Sequence, residues 1–300
     1  QVGTERMHLT SHQFLDLVNM FSPITKRSKQ IVRPDTVNEI IRIAFKYAEN
    51  EKPGATHVDL PCNIARMEVP DGPATKPLKH HKPNMEMACI ENLEEAAGAI
   101  FQAKKPVMLV GHSAVRNKAS KEITAFAHKM KIPVINTMMA KGVIPFDDPY
   151  SMWTIGIPQK DYVDVILEQA DLVIAVGYDI VEYAPAKWNA DGKHAILHID
   201  ARPCHINKLY QPDIEVVGDI SYSLKQISLR CKRTEEPEWA FAIKKLMVEE
   251  YESYQNDQSF PMKPQKILSD VRRVLDRDDI VISDVGAHKM WIAREYRCYE

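Results

Sequence analysis

Leu172-Val173-Ile174-Ala175-Val176-Gly177 is a short, continuously apolar run that ends in a glycine, and an amphipathic helical pattern at 161–168 precedes it. Runs of the same kind recur along the chain, at 107–110, 133–136, 195–200 and 214–217. Helical patterns at 91–103 and 117–130 lie between them. Short apolar strands that alternate with amphipathic helices are typical of a parallel sheet covered on both faces. The sequence therefore predicts an α/β fold.

Residues 89–232 are predicted to form one Rossmann-like domain with about five or six strands. Its strands are followed by loops rich in Gly, Asp, His and Asn, where open α/β sheets place ligands. It contains no Gly-x-Gly-x-x-Gly, so the fold alone does not predict a bound dinucleotide. The loop 177–183 carries two carboxylates, Asp179 and Glu182. They fit either an acid/base pair or an ordinary acidic loop, and no histidine at a fixed spacing decides between these interpretations.

The flanking regions look like parts of further α/β layers. Before the central domain, a helical pattern at 37–48 and a strand pattern at 56–60 lead into a proline-rich, charged stretch that is typical of a linker. After it, the patterns predict helices at 235–254 and 264–275, a buried strand at 279–284 and a helix at 289–297.

Composition and charge exclude several classes of protein. The formal net charge is −2 and 45% of the 300 residues are hydrophobic, which gives no electrostatic case for nucleic acid or for a membrane surface. The apolar runs are too short to cross a bilayer. The five cysteines and eleven histidines are scattered without metal-ligand spacing. We therefore expect a cytoplasmic protein with reduced thiols, no nucleic-acid or membrane partner, and no metal held by this chain's own residues.

Two short segments are candidates for a functional site. In Asp284-Val285-Gly286-Ala287-His288, an acidic strand end and a glycine precede a helix start, whose free N–H groups suit a phosphate. The alternative is an ordinary turn between strand and helix that Asp284 caps. Ser11-His12-Gln13 is a polar trio before an apolar helix. It fits either a binding pocket or a helix start with Ser11 as the N-cap.

The ordered set of segments resembles the thiamine-diphosphate-dependent acetolactate synthases, and specifically their catabolic type. The segments that carry the resemblance are Ser11-His12-Gln13, 20–26, Pro53-Gly54-Ala55, 131–134, Ala140-Lys141-Gly142, 177–183, Pro185, Trp188-Asn189, His198-Ile199-Asp200, Gly218-Asp219, 284–288 and 291–294. They follow the order of the family and cover essentially the whole chain.

The resemblance implies a division into parts of three domains. Residues 1–70 would be the C-terminal part of a pyrimidine-binding domain, 71–88 a linker, 89–232 the central domain, and 233–300 the start of a diphosphate-binding domain. The family's catalytic Glu and its Gly-Asp-Gly…Asn metal motif do not lie in this sequence. We therefore expect the chain to be an internal fragment of an enzyme about twice as long, and to be inactive alone.

The resemblance also implies a reaction and its site. The parent enzyme, a transferase, would decarboxylate one pyruvate on thiamine diphosphate and join the remaining two-carbon unit to a second pyruvate, giving 2-acetolactate. Gln13 and His12 would line the catalytic pocket. Asp284, Gly286, Ala287 and His288 would contact the cofactor, and Mg²⁺ would be held by residues outside this chain.

Other implications of the resemblance concern partners and alternatives. A homodimer or homotetramer is expected, in branched-chain amino acid synthesis or in acetoin and butanediol formation, and FAD is not expected. Two alternatives stay open from the residues. One is a non-catalytic Rossmann-like module that binds a nucleotide, and the other is a different thiamine-diphosphate enzyme, such as a pyruvate oxidase or a 2-keto-acid decarboxylase.

Overall fold

The structure is a computed structural model that describes residues 1–8, 12–69, 72, 76, 78, 86–157 and 161–299. Contacts within the chain divide it into two compact units, Gln1–Asn84 and Met85–Glu300. The domain limits that the resemblance implies, at residues 70, 88 and 232, stay predictions.

The first unit is built on a pair of parallel strands. These are β1 (Arg27–Gln30) and β2 (Thr56–Asp59), with Arg27 opposite Thr56. The described helices of this unit are α1 (Leu17–Phe21), α2 (Val37–Glu49) and α3 (Cys62–Ala65). The sequence predicted α2 and β2. It did not indicate β1, because Arg-Ser-Lys-Gln carries no apolar pattern.

The second unit contains a six-stranded parallel sheet in the order β5-β4-β3-β6-β7-β8. Its strands are β3 (Pro106–Val110), β4 (Val134–Asn136), β5 (Ser151–Thr154), β6 (Leu172–Val176), β7 (Ala195–Asp200) and β8 (Ile214–Val217). The order reverses between β3 and β6, which makes this a doubly wound sheet. The predicted fold class is therefore confirmed.

Helices cover the sheet on both faces. The helices of this unit are α4 (Ile90–Gln102), α5 (His112–Arg116), α6 (Ser120–Met130), α7 (Tyr162–Glu168), α8 (Pro185–Trp188), α9 (Ile220–Arg230), α10 (Glu238–Gln255), α11 (Pro264–Val274) and α12 (Ala287–Glu295). Leu93 of α4, Phe126 of α6 and Leu224 of α9 contribute to one hydrophobic core. Ile166 of α7 and Met247 of α10 contribute to a second core.

The two central strands, β3 and β6, are apolar throughout because each contributes side chains to both cores. In β3, Met108 and Val110 belong to the first core, whereas Val107 and Leu109 belong to the second. All four side chains are fully buried. Successive strand residues point to opposite faces, so a strand covered on both faces needs an apolar residue at every position.

The predicted strand at 279–284 is wrong. These residues are described and form no strand, and Ile280 and Ile282 are 87% and 91% exposed. A strand is stabilised by hydrogen bonds to a neighbouring strand, and no described strand pairs with this segment. The apolar pattern therefore has nothing against which to bury its side chains.

The structure also differs from the sequence predictions at one helix and one strand. The helix predicted at 117–130 corresponds to α6, which begins only at Ser120 because Lys118 has a positive φ of 57°, and the short helix α5 before it was not predicted. The sequence did not indicate β5 as a separate strand, although Ser151 and Thr154 are buried together with its two central residues. Their hydroxyl groups interrupt the apolar run on which strand prediction depends.

Gly177, directly after β6, provides a sharp test of this packing. Its φ is +60°, and a Cβ at this position would lie 2.3 Å from the backbone nitrogen of Ala114. We expect Gly177→Ala to lower the free energy of unfolding by roughly 2–4 kcal/mol, since both the conformation and the space exclude a side chain.

Gly98→Ala is the matched control for this measurement. Gly98 lies inside α4 and a Cβ there meets nothing within 4 Å, so the change should raise stability by about 0.5–1 kcal/mol. Urea denaturation of both variants checks the pair. Equal stability of Gly177→Ala and the unchanged protein would show that the strand ends are not packed in this way.

Candidate functional site

The carboxyl edge of the sheet is where ligands bind in open α/β folds. Asp200, the last residue of β7, accepts hydrogen bonds at its Oδ1 atom from the hydroxyl of Ser113 at 2.7 Å and from the backbone nitrogen of Ala201 at 2.6 Å. Both Asp200 and Ser113 are buried. The aspartate at this strand end is therefore held by the protein itself.

The loop 177–183 lies at the same edge, and its two carboxylates have separate partners. Glu182 accepts hydrogen bonds from the backbone nitrogen of His112 at 2.9 and 3.1 Å, from the backbone nitrogen of Asp179 at 3.1 Å and from the hydroxyl of Thr137 at 2.6 Å. Asp179 accepts from the backbone nitrogen of Val181 at 3.2 Å. These bonds favour a structural role for the loop over an acid/base pair.

Buried aromatic side chains connect the loop 177–183 to the second core. The hydroxyl of Tyr178 donates to the carbonyl oxygen of Tyr183, and the indole nitrogen of Trp188 donates to the Tyr178 hydroxyl at 3.1 Å. Burial raises the pKa of the Tyr178 phenol, so its proton stays in place for this bond. The loop is thus connected to the core at both of its tyrosines.

A cavity of about 560 Å³ opens beside α7, α10 and α12. It is lined by Ile157, Asp161, Tyr162, Val165, Glu250, Gln265, Trp291, Arg294 and Glu295. Arg294 is the central cation. Its guanidinium lies 3.0 Å from Asp161, 3.8 Å from Glu250 and 4.0 Å from Glu295. Three carboxylates around one cation leave the cavity with an excess of acidic groups.

Burial shifts the charges at this cluster. It raises the pKa of the Glu295 carboxyl to about 7, against the opposing effect of Arg294. It also lowers the pKa of the Lys141 ammonium group to about 8, and that group donates to the carbonyl oxygen of Ala293 at 2.9 Å. No spacing in the sequence connects Lys141, Arg294 and Asp161, so sequence reasoning could not find this cluster.

His12 and Gln13 lie exposed in a turn of the first unit. Gln13 has a φ of 64°, in the left-handed region that few residues other than glycine adopt. Ser11 lies outside the described residues. The helix-start interpretation of this trio is wrong, because the helix begins at Leu17 and Asp16 is its N-cap, accepting from the backbone nitrogen of Asn19.

Asp284, Gly286, Ala287 and His288 lie exposed in the second unit, at the start of α12. The Asp284 carboxylate accepts from the backbone nitrogen of Val285 at 2.7 Å. It does not cap α12, whose N-cap is Gly286, so the capping interpretation is wrong. Gly286 and the first amides of α12 fit a diphosphate in one respect, since they offer N–H donors at a helix N-terminus.

The predicted site residues therefore lie in two separate units, with His12 and Gln13 in one and 284–288 in the other. Within the described part of the chain, no group of three or more His, Cys, Asp or Glu side chains is placed to hold a metal ion. The described helices include none that is long and apolar enough to cross a membrane.

Comparison with known proteins identifies the class of the central domain. Residues 93–227 match the family model described as "Thiamine pyrophosphate enzyme, central domain". This match covers all six strands of the sheet. The segment therefore belongs to the family of thiamine pyrophosphate enzyme central domains.

Relatives of the whole chain narrow the class further. "Acetolactate synthase" of Bacillus subtilis is 31% identical over 100% of this chain and 53% of the relative, and "Acetolactate synthase, catabolic" of Raoultella terrigena is 32% identical over 94% and 51%. "Probable acetolactate synthase large subunit" of Methanocaldococcus jannaschii is 30% identical over 99% and 52%. The resemblance to acetolactate synthases is confirmed, and the chain spans about half the length of the curated relatives it matches.

The cluster at Arg294 predicts a dependence of stability on pH. The pKa of Glu295 rises from 4.5 to about 7 on folding, so the folded state favours the protonated acid. The protonated carboxyl therefore contributes fully to the free energy of unfolding below about pH 4.5. This contribution, on the order of 3 kcal/mol, is lost as the pH rises through about 7. Glu295→Gln should remove the loss and raise the melting temperature by about 5 °C at neutral pH and above, with little effect near pH 5.

Thermal melts between about pH 5 and 7.5 measure this difference. The range stops there because the lowered pKa of Lys141 adds the opposite dependence at higher pH. Glu252→Gln, an exposed position on α10, is the control and should leave the profile unchanged. If the melting temperature of Glu295→Gln changed with pH in the same way as that of the unchanged protein, the burial of this carboxyl would be contradicted.

Proposed function

We propose that this chain is part of an acetolactate synthase, which forms 2-acetolactate from two molecules of pyruvate. The observation that carries the proposal is the continuous similarity of the whole chain to relatives with that name. The central domain, at 93–227, supports the use of thiamine diphosphate. Neither a nucleotide-binding module nor another thiamine-diphosphate enzyme receives comparable support.

When bound, thiamine diphosphate supplies the electron sink that decarboxylation of a 2-keto acid requires. In this chain, the backbone N–H groups of Gly286, Ala287 and His288 would hold its diphosphate, and the dipole of α12 favours that charge. Asp284, also expected to contact the cofactor, accepts a hydrogen bond from the backbone nitrogen of Val285 at the same turn. We propose, as the resemblance implies, that the ligands of Mg²⁺ come from other parts of the complete enzyme.

Gln13 and His12 would act on the substrate. The Gln13 amide is a neutral donor, which suits an oxygen of pyruvate that gains negative charge during the reaction. Its backbone supports this role. A non-glycine residue at φ 64° is strained, and such strain occurs preferentially where function requires a particular placement.

The central domain would hold no FAD in the proposed enzyme. The edge at which a dinucleotide would bind is taken up by the protein's own loop 177–183. We further propose a homodimer or homotetramer in the cytoplasm. All five cysteines are free, which is compatible with a reducing compartment.

We predict that Gln13→Ala, made in the complete enzyme, lowers the turnover number about a hundredfold, on the scale of losing one donor to a developing oxyanion. The melting temperature should stay within about 1 °C, because Gln13 is exposed. Gln102→Ala, at the exposed end of α4, is the control and should leave both quantities unchanged. Normal turnover with a lowered melting temperature would assign Gln13 a structural role instead.

We predict that the 300-residue chain alone neither binds thiamine diphosphate measurably nor forms acetolactate. A diphosphate at the N-terminus of α12 gains only about 1 kcal/mol from the helix dipole. Association costs roughly 4 kcal/mol or more in translational and rotational freedom. Calorimetric titration with thiamine diphosphate and Mg²⁺, together with a pyruvate assay, measures both. Micromolar binding or cofactor-dependent turnover would mean that the site is assigned to the wrong residues.

A further inference from the structure

The crevice between the ends of β3 and β6 is the place where a doubly wound sheet usually binds its ligand, because the strand order reverses there. Gly111 follows β3 and Gly177 follows β6, and the two strands are direct neighbours. In nucleotide-binding sheets the glycine at such a strand end leaves room for a phosphate. The groups that lie in this space therefore show what occupies the crevice.

In this protein, atoms of the chain itself fill the space beside these two glycines. The backbone nitrogen of Ser113 donates to the carbonyl oxygen of Gly177 at 3.0 Å. A Cβ at Gly111 would lie 2.5 Å from that same oxygen and 2.8 Å from the Oε1 atom of Glu182. Gly111 has an ordinary extended backbone, so the close approach of these groups, and not its conformation, excludes a side chain.

The Glu182 carboxylate is the anion at this point. Its donors follow three different strands: the amide of His112 after β3, the hydroxyl of Thr137 after β4 and the amide of Asp179 after β6. Thr137 is 1% exposed. Backbone amides and a hydroxyl that converge from several strand ends are the donors that such sheets otherwise direct at a phosphate.

We infer that Glu182 is a built-in anion that occupies the ligand crevice of the central domain and holds the ends of β3, β4 and β6 together. It is a positioning residue, and it makes the carboxyl edge complete without a nucleotide. This inference rests on the fold of the central domain and is independent of the proposed reaction.

Removal and chemical replacement of the carboxylate test the inference. Glu182→Ala leaves three donors without their acceptor and should lower the melting temperature by about 5 °C or more. Sodium formate, which supplies a free carboxylate, should restore part of that loss, whereas sodium chloride at equal ionic strength should not. The unchanged protein and Glu94→Gln, an exposed glutamate on α4, should respond equally to both salts.

A second variant covers the case in which Glu182→Ala does not fold. Glu182→Gln keeps the length of the side chain but replaces the charged acceptor with a neutral amide, which weakens the hydrogen bonds from the two backbone amides. Hydrogen exchange at the amides of His112 and Asp179 should then be about tenfold faster or more than in Glu94→Gln.

Three results overturn the inference. The first is a Glu182→Ala melting temperature within about 1 °C of that of Glu94→Gln. The second is a recovery of Glu182→Ala in formate that is no larger than in chloride. The third is unchanged exchange at both amides in Glu182→Gln. The failure of these tests leaves the proposed acetolactate synthase activity untouched, because that activity depends on residues outside the crevice.

Discussion

The pairing of β3 with β6 is the interaction on which the larger unit depends. These two strands join the halves of the sheet, β5-β4-β3 and β6-β7-β8. They run in register from Pro106 opposite Leu172 to Val110 opposite Val176, and every residue of both is buried. The partners are far apart in sequence, so the entropy of bringing them together is offset by burial of apolar side chains on both faces.

This central pairing also determines what the carboxyl edge can do. It brings Gly111 and Gly177 into contact, and the loop that follows β6 then places Glu182 over the end of β3. A crevice occupied in this way has a structural role. The residues proposed for the chemistry lie instead in the flanking regions, where His12, Gln13 and residues 284–288 are exposed.

Most of the central fold could be predicted from the sequence, whereas the site residues that the sequence indicated stay predictions. Apolar runs such as 107–110 predicted their strands because burial on both faces requires apolar residues at every position. The same rule failed at 279–284, where the run has no neighbouring strand and Ile282 stays exposed. The polar strand β1, and β5 with its hydroxyl residues Ser151 and Thr154, carry no comparable signal.

The sequence by itself determined the alternation of strands and helices, and hence the parallel sheet, since local hydrophobic periodicity depends only on neighbouring residues. It also determined the resemblance to acetolactate synthases. The tertiary structure alone decided the partners of Glu182, which come from the ends of three strands. It alone decided the cluster of Lys141, Arg294 and Glu295. Hydrogen bonds and burial between distant residues leave no periodic signal, because they depend on where the folded chain brings each side chain.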